Sequence, residues 1–117
     1  MKSSAYKLVE TPEAWQGCLE ILRREPRIAV DLEANSLFAY QESICLLQVS
    51  TAERDFIIDP LAGFPLSGMG EVLADPAIEK VFHASSYDLL LLKRHYGWEV
   101  NNLFDTMWAA RVLGYTS

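Results

Sequence analysis

The segment Arg27–Glu33 constrains the fold more than any other part of this sequence, because its aliphatic residues alternate with small and acidic ones. This alternation predicts a β-strand, in which successive side chains point to opposite faces of a sheet. The three aliphatic residues at 28, 30 and 32 then share the core face. Asp31 and Glu33 lie side by side on the other face.

Two carboxylates held this close repel each other unless a cation lies between them. Hard divalent ions such as Mg²⁺ and Mn²⁺ prefer oxygen ligands of this kind. Asp31 and Glu33 therefore have two interpretations at this point, a metal site or a solvated strand end that carries two acids.

The bulk properties of the 117 residues indicate one globular domain, half of it apolar. No apolar run approaches the ~20 residues of a membrane helix, and the first residues lack a secretory apolar core. We therefore expect a cytoplasmic protein, or a nuclear one if the source is eukaryotic, with no membrane partner. The net charge of −6 argues against a broad basic surface for duplex DNA, so a nucleic acid would be held locally at a site.

The order of predicted elements indicates an α/β fold. We expect a mixed sheet of three antiparallel strands followed by β-α units, flanked by helices. The predicted elements are a helix at 11–24, strands at 27–33, 44–49 and 55–59, a helix within 64–74, a strand at 79–83, a helix from Ser85 or Ser86 to 96, a short strand opening at Val100, and a helix at 106–113 capped by Asp105.

A third acid, Asp88, falls in the first turn of the predicted helix that follows strand 79–83. An acid in that position complements the helix dipole and needs no other explanation. A helix that begins just beyond a strand end also projects its first turn over the sheet edge, and from there Asp88 could reach the space near Asp31 and Glu33. Both interpretations stay open from the residues alone.

Several segments resemble the DEDD superfamily of 3′–5′ exonucleases, in its ribonuclease D branch. Asp31-Leu32-Glu33 resembles the first motif of that family, and the segment from His83 to Asp88 resembles the second. The segments at 46–50, 56–61 and 102–106 match the connecting segments of the branch. The run from Asp31 to Ser36 is also similar to the exosome-associated nuclease of eukaryotes.

The resemblance implies a ribonuclease H-like fold and a mechanism with two Mg²⁺ or Mn²⁺ ions. Asp31 would bridge both ions, Glu33 would bind the ion that activates water, and Asp88 would help to hold the other ion. It also implies that His83, Leu32 and Asn35 contact the substrate, with His83 in a supporting role. The expected substrate is the 3′ end of a single-stranded RNA, with DNA as an alternative.

The third motif of the resembling family, Tyr-x-x-x-Asp, is not found in the 117 residues. We therefore expect residues 1–117 to be the N-terminal part of an exonuclease domain, incomplete at its C-terminus, with the motif-bearing core at 27–114 and little activity of its own. A catalytically incomplete module that binds nucleic acid or protein is the alternative. Self-association is expected through apolar surface that missing helices would cover, including the predicted last helix with Met107, Trp108 and Val112.

Overall fold

The computed structural model describes residues 6–35, 43–83 and 85–107 of the chain. These residues form six strands and three helices in the order strand, helix, three strands, helix, strand, helix, strand. The elements are β1 Tyr6–Val9, α1 Pro12–Arg23, β2 Arg27–Asn35, β3 Ser43–Ser50, β4 Asp55–Ile58, α2 Met69–Ala74, β5 Glu79–Phe82, α3 Ser85–Tyr96 and β6 Leu103–Asp105.

All six strands join one mixed sheet with the spatial order β1-β4-β3-β2-β5-β6. Strands β2, β3 and β4 form an antiparallel meander, while β5 pairs parallel to β2 and β6 parallel to β5. The predicted α/β class with a mixed sheet is therefore confirmed. Because β2 pairs with β5 only as far as Ala29, the rest of β2 extends beyond its parallel neighbour.

One face of the sheet carries the core, because the buried strand residues pack against all three helices on that side. Helix α1 begins where the sequence predicts, since the Thr11 side chain accepts a hydrogen bond from the Ala14 backbone N–H at 3.1 Å. The buried residues of the three helices are Trp15, Cys18, Leu19 and Leu22 in α1, Met69, Val72 and Leu73 in α2, and Leu91 and Leu92 in α3.

The opposite face of the sheet is open among the residues that the structure describes. Ala29 is exposed in the middle of the sheet, and Tyr6, Leu8 and Phe104 remain 52%, 58% and 44% exposed on the flanking strands. We call this surface, defined by Ala29 and those three side chains, the open face. In the same part of the chain, none of the helices has the length and apolar character needed to cross a membrane.

Two expectations about the strands are corrected by the structure. Strand β1, which was not predicted, is a four-residue edge strand that pairs parallel to β4 with mostly exposed side chains. The last strand begins at Leu103 rather than Val100, because the chain bends at Asn102 just before it. Asn102 has a φ of 57°, and its side-chain amide donates to the Pro76 carbonyl at 3.0 Å.

Gly97 ends α3 with a φ of 72°, which confirms it as the helix terminator. The predicted last helix, 106–113, lies outside the described residues except for Thr106 and Met107, and Trp108 and Val112 lie outside them as well.

Candidate active site

Strand β2 presents Asp31 and Glu33 on the open face, as the alternation predicts. Ile28, Val30 and Leu32 are buried on the core face, whereas both acids are exposed. Asp31 lies directly opposite Gln48 of β3, and the register shifts just after Glu33. The two carboxylates are therefore neighbours on the part of β2 that extends beyond β5.

Asp88 lies in the first turn of α3, three residues beyond the first residue of the helix. Burial and, secondly, the charge of Asp31 raise the pKa of the Asp88 carboxyl to about 6. The charge of Asp31 therefore acts on the Asp88 carboxyl, although the two side chains come from different elements. A cation placed between them would relieve the repulsion, which is the electrostatic signature of a candidate metal site.

The three acids do not form a tight cluster in this conformation. Within residues 6–35, 43–83 and 85–107, no group of three or more His, Cys, Asp or Glu side chains is gathered closely enough to hold a metal ion. The chemistry of the donor set nevertheless fits Mg²⁺ or Mn²⁺, since all three side chains offer carboxylate oxygens. The electrostatic interaction in the structure joins Asp31 and Asp88. Glu33 lies next to Asp31 on the same face of β2.

A cleft of about 760 Å³ opens next to Asp31. Its walls come from five strands of the sheet, β1 to β5, and from the residues that follow β5 and β6. The polar side chains of its lining are Tyr6, Asp31, Gln48, Ser50, Asp55, His83 and Thr106. The cleft is large enough for a nucleotide-sized group.

The ring of His83 is oriented by Thr106 at the edge of this cleft. His83 Nδ1 lies 2.8 Å from Thr106 Oγ1, and that hydroxyl donates to the Phe82 carbonyl at 3.3 Å. Because a hydroxyl has a single hydrogen, a Thr106 hydroxyl that donates to Phe82 receives its other bond from His83 Nδ1–H, and Nε2 is then the acceptor of the ring. His83 is exposed and lines the cleft, so Nε2 is available to a ligand.

Leu32 and Asn35 of β2 are the other two candidate substrate contacts. The Leu32 side chain is 9% exposed and packs in the core, so a substrate would meet its backbone before its side chain. Asn35 is the last residue of β2, and its side chain is not among the described groups. A substrate-binding role for Leu32 and Asn35 stays a prediction.

Asp105 was expected to cap the helix predicted at 106–113. Its Oδ1 accepts from the Met107 backbone N–H at 2.9 Å, as a cap would, and the rest of that predicted helix lies outside the described residues. The sequence analysis did not anticipate its second role, in which Oδ2 accepts from the backbone N–H and the hydroxyl of Ser85, both at 2.8 Å.

Gln48 and Thr106 also line the site and were not singled out as site residues. For Gln48 the available signal was its polar side chain within an otherwise apolar strand.

Comparison with known proteins places these features in a family. A family model described as 3′–5′ exonuclease matches residues 6–117. The chain is 40% identical over 116 residues to the exosome complex component 10 homolog of Caenorhabditis elegans, covering 98% of this chain and 13% of that protein. It therefore spans a small part of that relative.

Two solved structures share the fold over almost the whole chain. The catalytic core of RRP6 from Trypanosoma brucei superposes with a TM-score of 0.90 at 36% identity, covering 96% of this chain and 32% of that one. RNase D of Escherichia coli, described as an exoribonuclease involved in structured RNA processing, superposes with a TM-score of 0.88 at 31% identity, covering 96% and 30%. The expected ribonuclease H-like fold is confirmed.

Proposed function

Because this chain belongs to the 3′–5′ exonuclease family, we propose that it provides the metal-binding acids of a site that removes nucleotides one at a time from the 3′ end of single-stranded RNA. In each step water attacks the terminal phosphorus, the bond from phosphorus to the 3′ oxygen breaks, and that oxygen receives a proton. We propose RNA, and not DNA, as the substrate because the E. coli structural relative is described as an exoribonuclease. The activity would belong to the cytoplasm, or to the nucleus in a eukaryote.

The observation that carries this proposal is the electrostatic pairing of Asp31 and Asp88 beside the cleft. Burial and the charge of Asp31 raise the pKa of Asp88, so the unliganded site stores repulsion that a bound cation would remove. Asp31 also lines the cleft that could receive the last nucleotide. A pair of acids from β2 and α3 in this position fits a phosphodiester hydrolase better than a solvated strand end.

Asp31, Glu33 and Asp88 would hold two Mg²⁺ or Mn²⁺ ions, with Asp31 shared between them. When bound, such ions generate the nucleophile at neutral pH and stabilise the leaving 3′ oxygen. The protein's own part is to place the three carboxylates around the scissile phosphate and to keep them charged. For Asp88 this requires either a bound cation or a pH above about 6.

His83 would contact the terminal ribose. Its Nδ1–H is occupied by Thr106, so Nε2 can accept a hydrogen bond from a sugar hydroxyl in the cleft. RNA offers a 2′-hydroxyl that DNA lacks, so this contact would favour RNA. Leu32, through its backbone, and Asn35 are the further proposed substrate contacts on β2.

We propose that a protein of these 117 residues hydrolyses RNA weakly. No Tyr-x-x-x-Asp pattern occurs in the sequence, and three carboxylates hold two divalent ions less firmly than four. The weak hydrolysis is proposed for a protein of residues 1–117 alone.

A single-turnover assay tests the function. The protein in excess is incubated with 5′-labelled single-stranded RNA and Mn²⁺, and Asp31→Asn serves as the matched inactive variant. We expect slow stepwise shortening from the 3′ end that the variant lacks. Internal cleavage, or shortening that persists in Asp31→Asn, would contradict the exonuclease proposal, and rapid multiple turnover would contradict the predicted weakness.

A nucleic-acid-binding or protein-interaction module is the second candidate function. The observation that favours it is the absence, within the described ranges, of a compact group of three metal-ligating side chains. RNA that binds without any shortening, even with the protein in excess, would select this second candidate.

We also propose that the protein self-associates through the open face. The large side chains of Tyr6, Leu8 and Phe104 are about half exposed there, and apolar surface of this kind commonly marks an interface.

A further inference from the structure

Asp105 joins two segments that meet beside the proposed site. Its Oδ2 accepts two hydrogen bonds from Ser85, from the backbone N–H and from the hydroxyl, each 2.8 Å long. Its Oδ1 accepts from the Met107 backbone N–H at 2.9 Å. One carboxylate therefore ties the end of β6 to the first residue of α3.

The attachment is partly buried and is supported by the sheet. Ser85 is 5% exposed, so water competes little for its hydroxyl. Asp105 pairs in register with Phe82, the last residue of β5, and only two residues separate Phe82 from Ser85. The start of α3 is thus fixed from β5 through the chain and from β6 through Asp105.

Asp88 follows Ser85 by three residues and so lies about one helical turn further along the same side of α3. The first turn of an α-helix is stiff. A capping residue accepts hydrogen bonds from its first N–H groups, and the carbonyls of the helix accept those from the later ones. A displacement of Ser85 therefore moves the Asp88 carboxyl with it.

We propose that Asp105 is a positioning residue of the metal site, which sets the distance between Asp88 and Asp31 by fixing the first residue of α3. The inference rests on the proposed function, in which Asp31 and Asp88 share a divalent ion. Asp105 itself binds no metal and touches no substrate in this account. It differs from an ordinary helix cap because it acts on a helix that begins 20 residues earlier in the chain.

The test measures Mn²⁺ affinity by isothermal titration calorimetry for the full chain and for five variants. Asp105→Ala removes all three hydrogen bonds, and Ser85→Ala removes one. The matched controls are Ser86→Ala, the same change at the exposed neighbouring serine, and Asp75→Ala, which removes a similar bond from Ala77 N–H to an aspartate at the end of α2. Asp88→Asn tests the metal site itself.

We expect Asp105→Ala to weaken Mn²⁺ binding by about tenfold or more, as removal of a supporting group around a metal site commonly does. Ser85→Ala should lie between Asp105→Ala and the original chain, and both controls should bind as the original chain does. A role in stability alone would lower the melting temperature of Asp105→Ala and leave its Mn²⁺ affinity unchanged.

The outcomes separate this inference from the function on which it rests. If Asp88→Asn loses Mn²⁺ but Asp105→Ala and Ser85→Ala bind normally, the positioning role is wrong and the metal site stands. If Asp88→Asn binds Mn²⁺ like the original chain, the shared metal site itself is wrong, and the inference falls with it. If Asp105→Ala fails to fold, Ser85→Ala against Ser86→Ala decides, and equal affinities overturn the inference.

Discussion

Asp88 of α3 lies near enough to Asp31 of β2 for the two carboxylates to repel each other. The pKa of Asp88 is raised to about 6. Burial is the larger cause of this rise and the charge of Asp31 is the second. The two acids belong to different elements and lie 57 positions apart in the sequence. The fold therefore brings like charges together at a cost, which is typical of functional sites.

Replacement of Asp88 by Asn should stabilise the metal-free protein near neutral pH. The folded pKa of Asp88 lies above its ordinary value, so the folded protein retains a proton that the unfolded chain releases between about pH 4 and pH 6. The charged carboxylate therefore destabilises the fold above about pH 6 and has no such effect below about pH 4. Because Asp88 is only partly buried, solvent screening reduces the gain to about 1 kcal/mol at neutral pH.

Urea denaturation of both proteins at two pH values measures this effect. The stabilisation should be present at about pH 7 and absent at about pH 4. Glu53→Gln is the control, because it also removes one negative charge but at an exposed position. It should change the free energy of unfolding little at either pH. An Asp88→Asn protein that is less stable than the original at neutral pH would contradict the account.

Stabilisation by Mn²⁺ should depend on pH through the same group. A bound cation favours the charged form of Asp88, so binding at pH values below about 6 must first remove a proton. We expect the rise in melting temperature caused by Mn²⁺ to be larger at about pH 7.5 than at about pH 5. Equal rises at both pH values would show that Asp88 does not take part in binding.

The strand that carries the first two acids was predictable because its pattern is local. Alternation along β2 assigns Ile28 and Val30 to the core and Asp31 to the open side, and no distant information is needed. The meander also followed from short connections. Spacing alone left open whether Asp88 of α3 lies near the acids of β2, and the resemblance to a family predicted that it does.

Other features were not predictable because they depend on tertiary contacts. Strand β1 is held at the sheet edge by pairing with β4, and its mostly exposed side chains give no clear pattern. Lys80 interrupts the apolar pattern of β5, yet it is fully buried and faces the core. The bonds between Asp105 and Ser85 join residues that are distant in sequence, so the local signal showed only the cap.

Lys80 should be required for stability despite its charge. Its Nζ donates to the Val72 carbonyl at 3.3 Å and to the Asp75 carbonyl, so it satisfies the C-terminal end of α2 inside the core. Lys80→Met would remove the charged donor from both carbonyls, which keep only the backbone donors Asp75 N–H and Ile78 N–H, and we expect a loss of about 2 kcal/mol. Lys93→Met is the control, since Lys93 is exposed and pairs only with exposed Glu99 among its described ion pairs.

Chemical denaturation compares the two lysine variants. Lys93→Met should change the free energy of unfolding by less than about 0.5 kcal/mol. If Lys80→Met proves as stable as Lys93→Met, the proposed support of α2 by Lys80 is incorrect.

Self-association should increase with concentration and should depend on the open face. Leu8 is 58% exposed on β1, so Leu8→Lys places a charge on that face without disturbing the core. Sedimentation velocity should show the mass rising above 13.2 kDa for the original chain and remaining monomeric for the variant. A monomer at every concentration of the original chain would contradict the proposed interface.

The most direct measurement of the central claim is paramagnetic broadening by Mn²⁺, because it reports which residues surround the ion. Substoichiometric Mn²⁺ is added to ¹⁵N-labelled protein, and the loss of amide signal is followed residue by residue. A shared site predicts that signals of Asp31, Glu33 and Asp88 broaden together, while the signal of Asp75 at the end of α2, beyond the opposite end of the sheet, persists. Broadening at Asp31 without Asp88, or broadening spread over exposed acids across the surface, would contradict a metal site built jointly by β2 and α3.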